Sequence, residues 1–225
     1  MTWVKICGIS DIESAIAASQ AGTDYLGMVF APSRRQVSPE KGLEIIEAIH
    51  QLDSRPQVVG VFVNKPAVEV KQIANYCKLD WVQLNGDETW EYCKKIQKPF
   101  IKVFHIAPDM RQAEISADVW KGYSLIPPNQ LICLLDSAAE GTYGGTGTTF
   151  NWKVAKAVSE KFSVMIAGGL TSDNVSQLIK DTNPWAVDVS SGVETNGKKD
   201  AAKIKTFIET VRRLDLEHGG GGHRD

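Results

Sequence analysis

No apolar run in the sequence is long enough to cross a bilayer, and Met1-Thr2-Trp3 leads straight into a strand-like stretch without a basic segment followed by a hydrophobic one. A soluble, cytoplasmic protein is expected. A polybasic stripe is also missing: 25 Lys and Arg against 27 Asp and Glu give a formal charge of -2, which argues against nucleic acid or an anionic membrane surface as partner. A small molecule is the expected ligand. Cysteines are few and scattered. Cys7, Cys77, Cys93 and Cys133 form no CxxC pair and have no histidine at metal-ligand spacing, so free thiols in a reducing compartment are expected. Finally, no long Pro/Ser linker interrupts the 225 residues, which favours one domain over two.

What the chain does have is a regular alternation of apolar, strand-like runs with helical patterns. The runs at 4–7, 25–30, 58–63, 81–84, 100–106, 131–136, 164–167 and 186–189 read as strands buried on both faces. Helices are expected from Ser10-Asp11 to Gly22, over 39–50 and 67–77, from the loop at Asp87 to about 97, over 108–122, from 151, over 171–182 and over 200–214. Eight strands alternating with eight helices predict an α/β fold, a single (β/α)8 TIM barrel over residues 1–215. Residues 216–225 carry four consecutive glycines between histidines and cannot build a core; a disordered tail or tag remnant is expected there.

In such a barrel the C-terminal strand ends face the mouth, where chemistry happens. Cys7 ends the first strand just before Gly8. It is either a small buried hydrophobe or a general base, and the latter needs a cation, for which Lys5 is a candidate, to favour the thiolate. Asp136 follows Leu134-Leu135 at the end of the sixth strand, as a cap on the glycine-rich loop or as a general acid. That loop, 138–149, is long enough to be functional. Gly168-Gly169 after strand seven and Ser190-Ser191-Gly192 after strand eight are turn signals singly. Together they sit where these barrels hold a phosphate on backbone N–H groups. Arg34 and Arg35, after strand two, are either solvated or a fork for a carboxylate, and Asp188 is either a hydrogen-bond hub or a ligand for sugar hydroxyls.

These stretches, Val4-Lys5-Ile6-Cys7-Gly8, Ser33-Arg34-Arg35, Val59-Gly60-Val61-Phe62-Val63-Asn64, Val82-Gln83-Leu84-Asn85-Gly86, Leu134-Leu135-Asp136, Gly144-Gly145-Thr146-Gly147, Gly168-Gly169-Leu170 and Val187 to Glu194 with Gly197 to Asp200, resemble phosphoribosylanthranilate isomerase of tryptophan biosynthesis, from about Val4 to about Phe207. The resemblance implies an Amadori rearrangement of N-(5-phosphoribosyl)anthranilate by acid and base catalysis, with no cofactor and no metal. It implies Asp136 as the general acid, Cys7 as the general base, and Arg35, or its neighbour Arg34, as the holder of the anthranilate carboxylate. Gly168, Gly169, Ser190, Ser191 and Gly192 fall to the phosphate. The implied partner is a phosphorylated small molecule, with the protein a monomer or homodimer. One departure is visible, since the family usually has histidine where this chain has Asn85.

Other phosphosugar barrels share the fold without the function. A bifunctional isomerase that also serves histidine biosynthesis is the nearest alternative; related barrels with that chemistry carry aspartate at the first strand end, where this chain has Cys7. A metal-dependent epimerase needs histidines at strand ends, and His50, His105, His218 and His223 form no such set. A non-catalytic binding barrel would not need a matched acid and base at its mouth.

Overall fold

The computed structural model describes residues 1–53, 55–107, 110–137 and 152–218. Eight parallel strands close into a barrel in sequence order: β1 (Trp3–Cys7), β2 (Tyr25–Val29), β3 (Gln57–Phe62), β4 (Trp81–Leu84), β5 (Phe100–Ile106), β6 (Leu131–Ser137), β7 (Val164–Ile166) and β8 (Ala186–Val189). The seam pairs β1 with β8, Lys5 opposite Asp188. Helices α1 (Ile12–Gln20), α2 (Pro39–Ile49), α3 (Ala67–Tyr76), α4 (Trp90–Cys93), α5 (Gln112–Leu125), α6 (Trp152–Ser159), α7 (Val175–Thr182) and α8 (Ala201–His218) follow the strands.

Side chains alternate across every strand, as the twofold period of a strand demands. Tyr25, Val59, Ile101, Val103, Ile132, Leu134, Met165 and Ala186 fill the interior. Their neighbours Val4, Leu26, Val58, Val82 and Val187 point outward into the layer packed under the helices, joined there by Ile45, Ile46 and Phe207. The local signals act as expected at several starts. Asp11 caps α1 by accepting from Ser14 N at 2.8 Å, and Ser38 caps α2 ahead of Pro39.

Several stretches depart from the sequence expectation. Helix α4 is a single turn ending at Cys93, not near 97: the Lys95 and Ile96 amides bond three residues back, to the Tyr92 and Cys93 carbonyls, so the chain tightens into turns there. Helix α5 begins at Gln112, not 108. Helix α7 begins at Val175, not 171: the Asn174 side chain accepts from Thr171 N and donates to Gly169 O, both at 2.9 Å, which keeps 171–174 as a turn. Helix α8 continues to His218, so the expected tail at 216–218 is helical. The sequence reading also ran straight from Ser190-Ser191-Gly192 to α8. A short hairpin intervenes, β9 (Glu194–Thr195) against β10 (Lys198–Lys199). Asn196 and Gly197 make its turn, both at positive φ, 52° and 77°, the pairing that a two-residue hairpin loop requires. The glycine-rich loop at 138–149 and the end of the chain from 219 lie outside the described residues.

Phe207 is fully buried where α8 docks on the barrel. Phe207→Ala should therefore cost about 3–5 kcal/mol of unfolding free energy in urea titrations. A loss under about 1 kcal/mol would mean that α8 is not held by this contact.

Candidate active site

All eight strands run the same way, so their C-terminal ends gather at one mouth. Cys7 is the last residue of β1 and Asp136 lies at the end of β6. Asp136 continues the inward series of Ile132 and Leu134, and is buried. Cys7 faces inward too: a methyl group at Gly27, its register partner on β2, would lie 2.8 Å from the Cys7 Sγ and 3.2 Å from the Lys5 Cε. Glycine at this position is what lets the thiol and the lysine lie side by side. A thiol and a carboxyl group thus share one end of the barrel.

Beneath Cys7 sits a buried ion pair. The Lys5 Nζ, with no solvent exposure, donates to the Asp188 Oδ2 at 2.8 Å across the β1–β8 seam. Burial works against the Lys5 ammonium, but the Asp188 carboxylate and the Cys7 sulfur outweigh it, so its pKa ends above the ordinary value. For Cys7, burial dominates and raises the thiol. The Lys5 cation pulls it back down, Asp188 raises it further, and Lys199 lowers it. The resting side chain is therefore a thiol at neutral pH. The second oxygen of Asp188, Oδ1, is buried without a hydrogen-bond partner among the described residues. A buried carboxylate oxygen without a protein donor is uncommon and can accept a hydrogen bond.

Gly168 and Gly169 follow β7 at φ 97° and 64°. Among the described residues their amides donate to no protein acceptor, which leaves two N–H groups for an anion. Ser190, Ser191 and Gly192 follow β8, where Ser191–Val193 makes one turn of 3-10 helix. A side chain at Gly192 would strike the carbonyl of Leu170, so the two loops are pressed together.

A thiol, a carboxyl group and two amides without protein acceptors thus lie at one mouth of a closed barrel. Residues 4–210 match the family described as N-(5'phosphoribosyl)anthranilate (PRA) isomerase. The chain belongs to this isomerase family. Its similarity to the isomerase of Dehalococcoides mccartyi is 44% identity over 96% of this chain and 98% of that one. The isomerase of Moorella thermoacetica is 42% identical over 97% and 93%. Among solved structures, a phosphoribosyl anthranilate isomerase from Thermotoga maritima superposes with a TM-score of 0.82 at 35% identity, covering 95% of this chain and all of that one. Another, solved with reduced 1-(o-carboxyphenylamino)-1-deoxyribulose 5-phosphate, has a TM-score of 0.78 at 33% identity, with 95% and 100% covered.

In this member of the isomerase family the arginine pair divides. Arg34 points outward and is largely exposed, whereas Arg35 lies over Gly8, beside the Cys7 strand end, with its Cδ 2.5 Å from where a Gly8 side chain would start. Both reach Glu194. Its carboxylate accepts from the Arg35 Nε at 2.7 Å and NH2 at 3.0 Å, from the Arg34 NH2 at 2.8 Å and from the Lys199 Nζ at 2.8 Å. Sequence reasoning did not single out Glu194 or Lys199; the Asn196-Gly197 turn was the signal, because it predicts a hairpin that sets them opposite each other. It also passed over His105 as a mouth residue. His105 faces inward after Ile101 and Val103, in register with Asp136, and its Nε2 meets the backbone oxygen of Asn85 at 3.0 Å. A carbonyl oxygen only accepts, so this nitrogen carries the hydrogen. At the opposite end of the barrel Tyr25, Trp81 and Trp185 help to line a cavity of about 470 Å³, with no carboxylate, thiol or imidazole among the described residues that line it.

The raised Cys7 thiol has a direct consequence in the ligand-free protein. Its alkylation by iodoacetamide, followed on the Cys7 peptide by mass spectrometry, should be slow at pH 7 and still rising at pH 9. A rate that levels off below pH 7 would contradict this electrostatic balance.

Proposed function

We propose that the protein isomerises N-(5-phosphoribosyl)anthranilate to 1-(2-carboxyphenylamino)-1-deoxyribulose 5-phosphate, the Amadori step of tryptophan biosynthesis, with Asp136 as general acid and Cys7 as general base. The observation that carries this reading is the inward pairing of a thiol on β1 with a carboxyl group on β6 at one mouth. The anion-accepting amides of Gly168 and Gly169 support a phosphate at that mouth, with Ser190, Ser191 and Gly192 beside it.

The residues account for the first two proton transfers. Protonated Asp136 gives its proton to the ribose ring oxygen as the bond from that oxygen to C1 breaks, and the nitrogen lone pair forms a C1=N iminium. The Cys7 thiolate takes the proton from C2, and the released pair becomes a C1=C2 bond while the iminium nitrogen recovers its lone pair. The enolamine then tautomerises to the C2 ketone: the C2 hydroxyl gives up its proton to solvent as its C=O bond forms, and C1 takes a proton from solvent. The substrate ends with the atoms it began with. The open Oδ1 of Asp188 is suited to a sugar hydroxyl, and Arg35 to the ring carboxylate. Arg35 is favoured over Arg34 because it is the one lying against the Cys7 strand end. Lys5 and Lys199 are the cations that favour the thiolate against burial. Since the acid must hold a proton while the base lacks one, activity against pH follows a bell.

The test is fluorescence-monitored turnover of freshly made phosphoribosylanthranilate. Asp136→Asn and Cys7→Ser should each lose about a hundredfold or more in kcat with an unchanged circular dichroism spectrum. Near-normal turnover in either variant would reject its assigned role. Arg35→Ala should chiefly raise KM, by about tenfold or more, because it removes a charged bidentate contact. An unchanged KM would remove Arg35 from the carboxylate site.

A further inference from the structure

Glu194 has an unusual position for a surface-hairpin residue: its side chain is 5% exposed and it gathers three cations, Arg34, Arg35 and Lys199. Burial alone would push its carboxyl up, but Arg35 and Lys199 overcome that and hold it below the ordinary value, so it is ionised. The pattern of contacts is specific. The Nε and NH2 of Arg35 lie along the two oxygens of Glu194, which is the side-on edge of the guanidinium. On the adjacent, end-on edge, Nη1 takes no protein partner among the described residues. Lys199, in turn, is spent within the hairpin and its root: its Nζ donates to Glu194 at 2.8 Å and to the Ser190 O at 2.8 Å, with the Ser190 Oγ at 3.5 Å.

The side-on grip on Arg35 fixes the plane and direction of its remaining edge, because a guanidinium is rigid and flat. Gly8 underneath, having no side chain, leaves room for the arginine stem to lie against the strand end.

We propose that Glu194 is a positioning residue for substrate recognition: it holds Arg35 from one side so that the other edge of the guanidinium meets the ring carboxylate of the substrate. Glu194 does not touch substrate; it acts through Arg35. This rests on the reading that Arg35 binds that carboxylate, and it makes selectivity for a carboxylated ring a property of the hairpin after β8.

The experiment compares two ligands by calorimetry: the reduced product analogue, and the same molecule with a plain phenyl ring that lacks the carboxylate. Glu194→Gln keeps the volume and removes the charge. It should weaken the carboxylated ligand by about tenfold, the worth of one charge-assisted contact, and leave the other within about twofold. In an Arg35→Met background the same substitution should add no further selective loss. Equal weakening of both ligands, or a loss that persists without Arg35, would reduce Glu194 to a brace for the loop and overturn the proposal. Failure of the Arg35 reading itself looks different, since Arg35→Met would then bind both ligands as the unaltered protein does. Glu194→Asp guards against a folding defect, as it retains the charge but is too short to lie along both Arg35 nitrogens. It should show the same selective loss, and full retention of selectivity would overturn the proposal.

Discussion

The site depends on the ion pair between Lys5 and Asp188 inside the barrel seam. Neither charge has water to fall back on, and desolvation on this scale costs several kcal/mol per ion before the mutual attraction offsets it. Apolar side chains of similar volume would close β1 onto β8 at least as well for stability. What the pair adds is chemical. It sets a fixed cation under Cys7, and through Asp188 it leaves one buried carboxylate oxygen open at the level where a ligand enters. The absence of a side chain at Gly27 is the steric condition for both, since any Cβ there would occupy the space of the sulfur and the lysine stem.

The two ends of the barrel divide the work. Toward the N-terminal end the interior is aromatic and apolar: Trp3, Tyr25, Trp81 and Trp185 cluster around the opening with ring centroids 5.8 to 6.4 Å apart, Trp3 stacked on Trp185 and the other pairs tilted or edge-on. Toward the C-terminal end the inward positions turn to Cys7, Gln83, Asn85, His105, Asp136 and Asp188. The same alternation that builds the core therefore delivers the reactive groups one or two residues further along each strand. The hairpin β9–β10 then links the loop after β2 to the loop after β8 through Glu194, so the groups assigned to the carboxylate and phosphate ends of the substrate are held by one piece of chain.

Much of this was legible in the sequence because continuous apolar runs ended on polar residues. β4, β5 and β8 begin and end where the runs do, and Cys7 and Asp136 were visible as breaks in an apolar pattern at strand ends. What was harder to read depends on contacts distant in sequence. The late start of α7 is fixed by an asparagine side chain reaching back to Gly169, and α4 gives way after Cys93 to three-residue turns that no apolar period marks. The partners of Arg35 were invisible for the same reason: they lie more than a hundred and fifty residues away on a hairpin of two-residue strands, too short to leave a periodic signal. Neither could the sequence say that Lys5 and Asp188 would meet, since only closure of the barrel makes β1 and β8 neighbours.

The central claim is that a single sugar phosphate touches the thiol of β1 and the carboxyl group of β6 at once. A crystal structure of this protein with the reduced product analogue bound tests it most directly. The account requires the Cys7 sulfur and an Asp136 oxygen each within about 4 Å of the ligand's sugar chain, with the phosphate on the Gly168 and Gly169 amides. An analogue seated at the mouth in contact with only one of the two side chains, or with its phosphate held elsewhere, would contradict it.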